Sequence, residues 1–346
     1  MVDVEAVLNY SYKRAREDDD PLVGLETPSS PKIRRTEAPQ IPGHESVNYY
    51  FDDGNVIIFA PNTRFRVHQG VLSKHSSYFR DIFAALPVDG GETLDECPVV
   101  RVEESPQTVK WLLDTMYDGA DCAILKMRNK ITLSQLVNIF RAGDKYNAQH
   151  LRKAALHRLR VLFPADLQEW APFDERKKIA NIVESGDLGQ RLIELTKVLV
   201  LIRDFPELKK ILPLVLYTGC QLPITVLSGS GKHPAWPKRS SGTTGYKNLC
   251  LLAIPTLVER RLEVFSALAT PVAHCQEALL TITYHVLLSG NITARPCALE
   301  DIIPWCKLHP SWDELCRPCA KTVEDNVNSL RLEVWSDLET IFGIPE

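Results

Sequence analysis

The feature that most constrains the fold is a change of hydrophobic periodicity between Asp52 and Phe83. Four successive apolar residues, Val56–Phe59, are typical of a strand buried on both faces. Pro61-Asn62 then favours a tight turn, because proline fixes φ and asparagine tolerates a left-handed backbone. From Arg64 to His68 apolar and polar residues alternate, which predicts a half-buried second strand. The segment therefore begins with a hairpin.

Beyond Gly70 the periodicity becomes helical. Val71-Leu72 begins the helical pattern, and the apolar positions after Ser76-Ser77 fall on one stripe of a helix. These positions are Tyr78, Phe79, Ile82, Phe83 and Leu86. The order strand, turn, strand and helix predicts a compact assembly module.

The run FRVHQGVLSKHSSYF resembles the signature of the BTB (POZ) domain family. The matching residues are Phe65, His68, Leu72, Ser77, Tyr78 and Phe79. The helices that follow extend the resemblance to about Phe163. One departure is Asn55, where many members of the family carry an aspartate before the first strand. We expect His68 to be a hydrogen-bonded hairpin residue rather than a metal ligand.

Further elements complete this module. Val99–Val102 predicts a strand, and Ser105-Pro106 an N-cap followed by the first helical residue. Thr132–Gln135 predicts a capping box at the start of the next helix. A third helix carries Leu159 and Leu162 inward and stops at Pro164, because proline cannot continue a helix without losing a hydrogen bond.

The resemblance implies an α+β fold, with a small mixed sheet flanked by helices, that self-associates through an apolar face of its first helices. The candidate dimer-face residues are Val71, Leu72, Tyr78, Phe79 and Ile82. Some of them must instead fill the core of the protomer, and the sequence does not separate the two roles. A homodimer is therefore expected.

Length and composition predict a tail followed by two domains. The chain has 346 residues, of which 45% are hydrophobic, and domains usually contain ~100–200 residues. We expect a disordered tail over residues 1–45, a BTB/POZ domain over 46–163 and a mainly α-helical region over 164–346. The net charge of −4 gives no global attraction to nucleic acid or to an anionic membrane.

The N-terminal tail is rich in charged residues and prolines, so it has too little apolar surface to offset the entropy of ordering. Its two basic clusters resemble a bipartite nuclear import signal; they comprise Lys13, Arg14, Arg16, Lys32, Arg34 and Arg35. A solvated tail without a receptor is the alternative. Because the first residues lack the pattern of a signal peptide, we expect reduced cysteines and an intracellular protein, nuclear or cytoplasmic.

The second half is helical by period, and Leu188–Ile202 is apolar on several faces, as in a buried helix. Its residues Ile211–Tyr217 and Arg331–Gly343 are similar to the C-terminal region of BTB proteins abundant in basidiomycete fungi. The charge-free run 211–231 contains two prolines, so we interpret it as core rather than a membrane span. Residues 228–247 predict an exposed loop.

No catalytic motif is complete, so we expect no enzymatic activity and no cofactor. The segment Gly229–Lys232 lacks the first glycine and the terminal hydroxyl residue of a phosphate-binding loop. The chain also lacks a Gly-x-Ser-x-Gly elbow and a His-Glu-x-x-His helix.

A basic stretch without acidic residues runs between Leu208 and Val258. It contains Lys209, Lys210, Lys232, Lys238, Arg239 and Lys247, together with Trp236 and Tyr246. Such a surface can bind single-stranded nucleic acid. Basic loops are more often simply solvated, and no helix-turn-helix or zinc-finger pattern occurs, so nucleic acid is not the expected partner.

The sequence also offers one candidate structural zinc site, formed by Cys306, His309, Cys316 and Cys319. Two ligand pairs at this spacing suit tetrahedral zinc. Only six residues separate the pairs, and cysteines three apart on a helix can be small buried hydrophobes. The prediction is therefore that no metal is bound.

Taken together, these patterns predict a non-enzymatic interaction protein that recruits protein partners through a BTB/POZ domain. Two alternatives remain open: a substrate adaptor of a cullin ubiquitin ligase, and a nuclear transcription or chromatin regulator. Neither a recognisable substrate module nor a DNA-reading motif decides between them.

Overall fold

The computed structural model describes residues 43–85, 91–170, 173–183, 187–228, 241–269, 274–288 and 296–344. These residues form two compact units. The sheet unit contains the described residues up to Leu162 and the segment Lys177–Val183. The helical unit contains Phe163–Arg176 and the described residues from 187 onward.

In the described part of the sheet unit, five strands form one mixed sheet in the order β1-β3-β2-β5-β4. Strand β2 is central; it pairs antiparallel with β3 and parallel with β5. Strand β1 runs parallel to β3 at one edge, and β4 runs antiparallel to β5 at the other. The strands are β1 His44–Tyr50, β2 Val56–Ala60, β3 Thr63–Val67, β4 Thr93–Leu94 and β5 Cys97–Arg101.

The hairpin has the pattern that the sequence predicts. Val56, Ile57 and Ile58 are buried, as expected of a strand covered on both faces. Asn62 adopts a φ of 59° in the turn, and Ile58 lies opposite Phe65 across the ladder. The predicted first and second strands are thereby confirmed.

Five helices complete the main part of the sheet unit: α1 Gln69–His75, α2 Ser77–Ala85, α3 Pro106–Tyr117, α4 Leu133–Lys145 and α5 Gln149–Leu162. The predicted caps are confirmed. The side chain of Ser105 accepts from the backbone N–H of Thr108, and Thr132 and Gln135 form a reciprocal capping box. Helix α5 ends two residues before Pro164.

Helices α4 and α5 come together at a glycine. A Cβ on Gly143 would lie 2.6 Å from the backbone nitrogen of Arg152, which is closer than any stable contact. Gly143 therefore lets the two backbones approach, and a side chain there would separate them.

The sequence did not predict β1 or β4. Strand β1 begins at His44, inside the predicted tail, and Glu45 pairs with Arg64. Few of its residues are buried, so it carries none of the apolar alternation that marks a strand. The remainder of the predicted tail, residues 1–42, lies outside the described residues.

The helical unit confirms the predicted mainly helical second half. Its described α-helices include α7 Leu188–Asp204, α8 Leu212–Cys220, α9 Ile224–Ser228, α10 Ser241–Ser266, α11 Gln276–Leu288, α12 Ile303–Cys306 and α13 Arg317–Ile341. The short helix α6, Phe173–Ile179, precedes them in the chain; its first four residues belong to the helical unit and its last three to the sheet unit. All residues of α8 are buried, so the charge-free run up to Cys220 is core.

The predicted exposed loop over 228–247 is wrong at both of its ends. Ser228 is the last residue of α9, and residues 241–247 belong to α10. Tyr246 is buried, and its hydroxyl donates to the carbonyl of Val215 at 3.0 Å. Glycine, serine and threonine give this segment the composition of a loop, but Tyr246 contacts α8 and lies in the helix. Residues 229–240 lie outside the described part of the chain.

We predict that alanine at two helical glycines of the sheet unit has different effects on the free energy of unfolding. Gly143→Ala should lower the free energy of unfolding by about 1–3 kcal/mol, because the added methyl group meets backbone. Gly70→Ala is the matched control, since a Cβ there meets nothing within 4 Å, and it should be neutral or slightly stabilising. Urea denaturation followed by circular dichroism measures both, and an equally stable Gly143→Ala variant would contradict this account.

Candidate functional site

The helices α1 and α2 carry most of the predicted signature, and burial divides those residues into two groups. Leu72 and Phe79 are 0% and 1% exposed, so they fill the core of the protomer. Val71, Tyr78 and Ile82 are only partly buried. These three are therefore the predicted dimer-face residues that still present surface to another molecule.

Tyr146, which the sequence did not single out, fixes α2 in place. Its ring stacks on Phe79 with centroids 5.1 Å apart and meets the edge of Tyr78 at 5.0 Å. Its hydroxyl donates to Glu104, and burial together with this carboxylate raises the pKa of Tyr146. Because the ring of Tyr78 contacts the ring of Tyr146, a residue of the core orients Tyr78 at the surface.

The link between α1 and α2 is a buried serine. Ser76 is 1% exposed; its hydroxyl donates to the carbonyl of Tyr146 and accepts from the backbone N–H of Phe79 at 3.2 Å. Ser77, the serine of the predicted signature, instead accepts from the side-chain amide of Asn147 at 2.8 Å. Both serines therefore join α2 to the end of α4.

His68 is a hydrogen-bonded residue at the end of the hairpin, as its position predicts. Its backbone N–H donates to the hydroxyl of Tyr117 at 2.9 Å, and its Nδ1 lies 3.0 Å from the same oxygen. Its Nε2 lies 3.2 Å from Asp53. The imidazole thus joins the hairpin to α3.

Asn55 binds the first residue of α1 through two hydrogen bonds. Its side-chain oxygen accepts from the backbone N–H of Gln69 at 2.8 Å, and its carbonyl accepts from the side chain of Gln69 at 3.1 Å. An amide oxygen and a carboxylate oxygen can both make the first contact. Asn55 therefore supports the start of α1.

Strand β1 adds a surface that the sequence did not reveal. It lies at an edge of the sheet, its register is interrupted between Glu45 and Tyr50, and Val47 is fully exposed. Its C-terminal end is held because the hydroxyl of Tyr49 donates to the buried carboxylate of Asp114 at 2.7 Å. An edge strand offers backbone groups to a further strand.

The helical unit contains a cavity of about 890 Å³. Its lining is mixed, with Trp170, Tyr217, Gln221, Trp305, Asp301 and Arg331 among the contributing residues. Tyr217 and Arg331 also hold one backbone segment, because the Tyr217 hydroxyl accepts from the N–H of Leu299 and Arg331 Nε donates to its carbonyl, both at 3.0 Å. These two residues belong to the motifs that suggested the fungal resemblance, and their shared contact is structural.

The structure does not bring together the four residues of the candidate zinc site. Cys306 is fully buried, and burial raises the pKa of its thiol to about 12. His309 uses Nδ1 to accept from the backbone N–H of Ser311. In the described part of the chain, the group of three or more potential ligands that converges is Cys275, Cys316 and Cys319. Cys275, 41 residues before Cys316, could not be found from local spacing.

The predicted nucleic-acid surface loses one of its aromatic residues, since Tyr246 is buried. Burial also lowers the pKa of Lys247, so this residue is not a freely solvated cation. Lys209 and Lys210 are exposed on the 3-10 helix Pro206–Ile211. Outside the described residues lie Lys232, Trp236, Lys238 and Arg239, as do the import candidates Lys13, Arg14, Arg16, Lys32, Arg34 and Arg35.

Within the described residues, no helix is long and apolar enough to cross a membrane.

Comparison with known proteins gives one family. Residues 50–160 match the family model of the BTB/POZ domain. No curated protein and no solved structure matches the chain. The similarity to basidiomycete proteins therefore stays a prediction.

We predict that Asn55 stabilises the sheet unit through its side-chain oxygen. Asn55→Ala should lower the free energy of unfolding by about 1 kcal/mol, the usual effect of losing a cap to a helical N–H. Asn55→Asp keeps an acceptor and places negative charge at the start of α1, so it should match or exceed the wild type. Urea denaturation of both variants checks this, and equal losses would show that the oxygen is unimportant.

Proposed function

Since the chain contains a BTB/POZ domain at residues 50–160, we propose that it is a self-associating protein that recruits protein partners through this domain. The domain is a protein-interaction module. Self-association is the finer part of the proposal, and it rests on the apolar surface that the protomer leaves uncovered.

The observation that supports the proposal is the difference in burial among the apolar residues of α1 and α2. Leu72 and Phe79 are needed inside the protomer, whereas Val71, Tyr78 and Ile82 keep part of their surface exposed. On the same unit Val47 is fully exposed on an edge strand. Apolar side chains that remain at a surface favour burial against another protein.

A second copy of the chain is the proposed occupant of this surface. A two-fold interface would bring the same helices together from both protomers. We expect it to bury about 1,200–2,000 Å² in total. The proposed role is non-enzymatic because it requires complementary surfaces rather than a reacting group.

The proposed place of action is inside the cell, in the nucleus or the cytoplasm. None of the nine cysteines, all of which lie in the described part of the chain, forms a disulfide, which suits a reducing compartment. The alternative of a nuclear regulator depends on import residues outside the described part of the chain.

We predict that charge on the proposed face separates the dimer. Tyr78→Asp combined with Ile82→Asp should convert a dimer into a monomer, because two buried carboxylates per protomer would be desolvated without partners. Light scattering after size exclusion gives the mass, and circular dichroism verifies folding. An unchanged folded dimer would contradict the proposed face.

Two further variants make this experiment specific. Val47→Asp changes a fully exposed residue, so it should weaken the dimer without disturbing the protomer if β1 takes part. Leu252→Asp combined with Leu308→Asp is the matched control. These residues are 61% and 83% exposed and lie in the helical unit, so the same added charge should leave the dimer intact.

One feature of the helical unit favours the adaptor alternative. A substrate adaptor needs a second region that holds a target, and the cavity near Trp170 and Trp305 is a concave surface with aromatic and charged groups. Under this alternative the domain would bind a cullin while the helical unit binds the target.

The adaptor alternative predicts stable retention of a cullin N-terminal domain by the immobilised full chain. Retention should be saturable, and the soluble chain should compete for it. Binding no greater than to the bare matrix would exclude this alternative, and it would leave the proposed self-association untouched.

A further inference from the structure

Outside the BTB/POZ domain, the helical unit contains a cluster of three thiols that could hold a metal ion. The Sγ atoms of Cys275, Cys316 and Cys319 all lie within 4.8 Å of one another. Cys275 immediately precedes α11, and the other two flank the first turn of α13. Two distant chain segments thus deliver soft ligands to one point.

We propose that Cys275, Cys316 and Cys319 bind a zinc ion through three thiolates. A tetrahedral centre with Zn–S bonds of 2.3 Å places its sulfur atoms about 3.8 Å apart. Sulfur atoms already within 4.8 Å reach that separation through small side-chain movements. No change in the helices is required.

Two local features place positive partial charge beside sulfur atoms of the cluster. The backbone N–H of Cys316 donates to the sulfur of Cys275 at 3.4 Å, a contact that stabilises negative charge on sulfur. Cys316 is the N-cap of α13, a helix that runs to Ile341. The positive end of its dipole therefore points toward the bound thiolates.

Burial distinguishes the three ligands and shows where the fourth position would lie. Cys275 and Cys319 are 9% and 7% exposed, whereas Cys316 is exposed. Two buried sulfur atoms would therefore bind zinc on the protein side, and the coordination position nearest Cys316 would face solvent. Water fills the fourth position in this proposal.

The bound ion would have a structural consequence. Cys275 lies before α11 and Cys319 lies in α13, so a shared zinc fixes the start of one helix against the start of the other. This link is independent of the BTB/POZ domain and of self-association.

The test uses the full-length reduced chain and measures zinc content by mass spectrometry and cobalt binding by sulfur-to-metal charge-transfer absorption. We expect one zinc per chain in the wild type. Cys275→Ser and Cys316→Ser should each reduce cobalt affinity by more than about tenfold, because removing a direct ligand should cost at least as much as removing an outer partner. Cys316 is exposed, so its variant keeps its fold, which circular dichroism verifies.

The controls are Cys306 and His309, the two residues of the sequence-based candidate that lie outside the thiol cluster. Cys306→Ala and His309→Ala should retain full cobalt binding, because neither joins the thiol cluster. Reduced wild-type protein that binds neither metal, or a Cys275→Ser variant that binds as tightly as the wild type, would overturn the proposal. These results do not depend on whether the chain dimerises.

Discussion

The stack of Phe79 on Tyr146 is the contact on which the proposed interaction surface depends. The two rings are parallel within 3°, and their centroids lie 5.1 Å apart. Tyr146 is also bound through its hydroxyl by Glu104 and through its carbonyl by Ser76. One residue at the end of α4 thus positions both the turn before α2, through its backbone carbonyl, and the exposed face of α2, through its ring.

This arrangement explains why neighbouring signature residues have different roles. Phe79 points to Tyr146 and is buried, while Tyr78 meets the edge of the same ring and remains partly exposed. The position of Tyr78 on the proposed face is therefore set by a contact inside the protomer. A preorganised surface loses less conformational entropy when it binds.

The helical unit is organised by different means. Tyr217 and Arg331 both bind the backbone of Leu299, and Gly219 lets Tyr246 approach so closely that an added Cβ would lie 1.8 Å from its hydroxyl. Tyr246 in turn binds the carbonyl of Val215. These contacts join α8 to α10 and to the segment before α12. Tyr217 and Arg331 also line the cavity, so part of its wall is held by buried hydrogen bonds as well as by apolar packing.

The sequence by itself determined the hairpin, the capped helices α3 and α4, the end of α5 and the helical character of the second half, because each is encoded by residues close together in the chain. It also determined the BTB/POZ domain through the motif around His68. Only the tertiary structure decided that Leu72 and Phe79 are core, that β1 forms an edge of the sheet, and that Cys275 rather than Cys306 joins Cys316 and Cys319. Periodicity specifies which face of an element is apolar, but contacts between distant segments decide what covers that face.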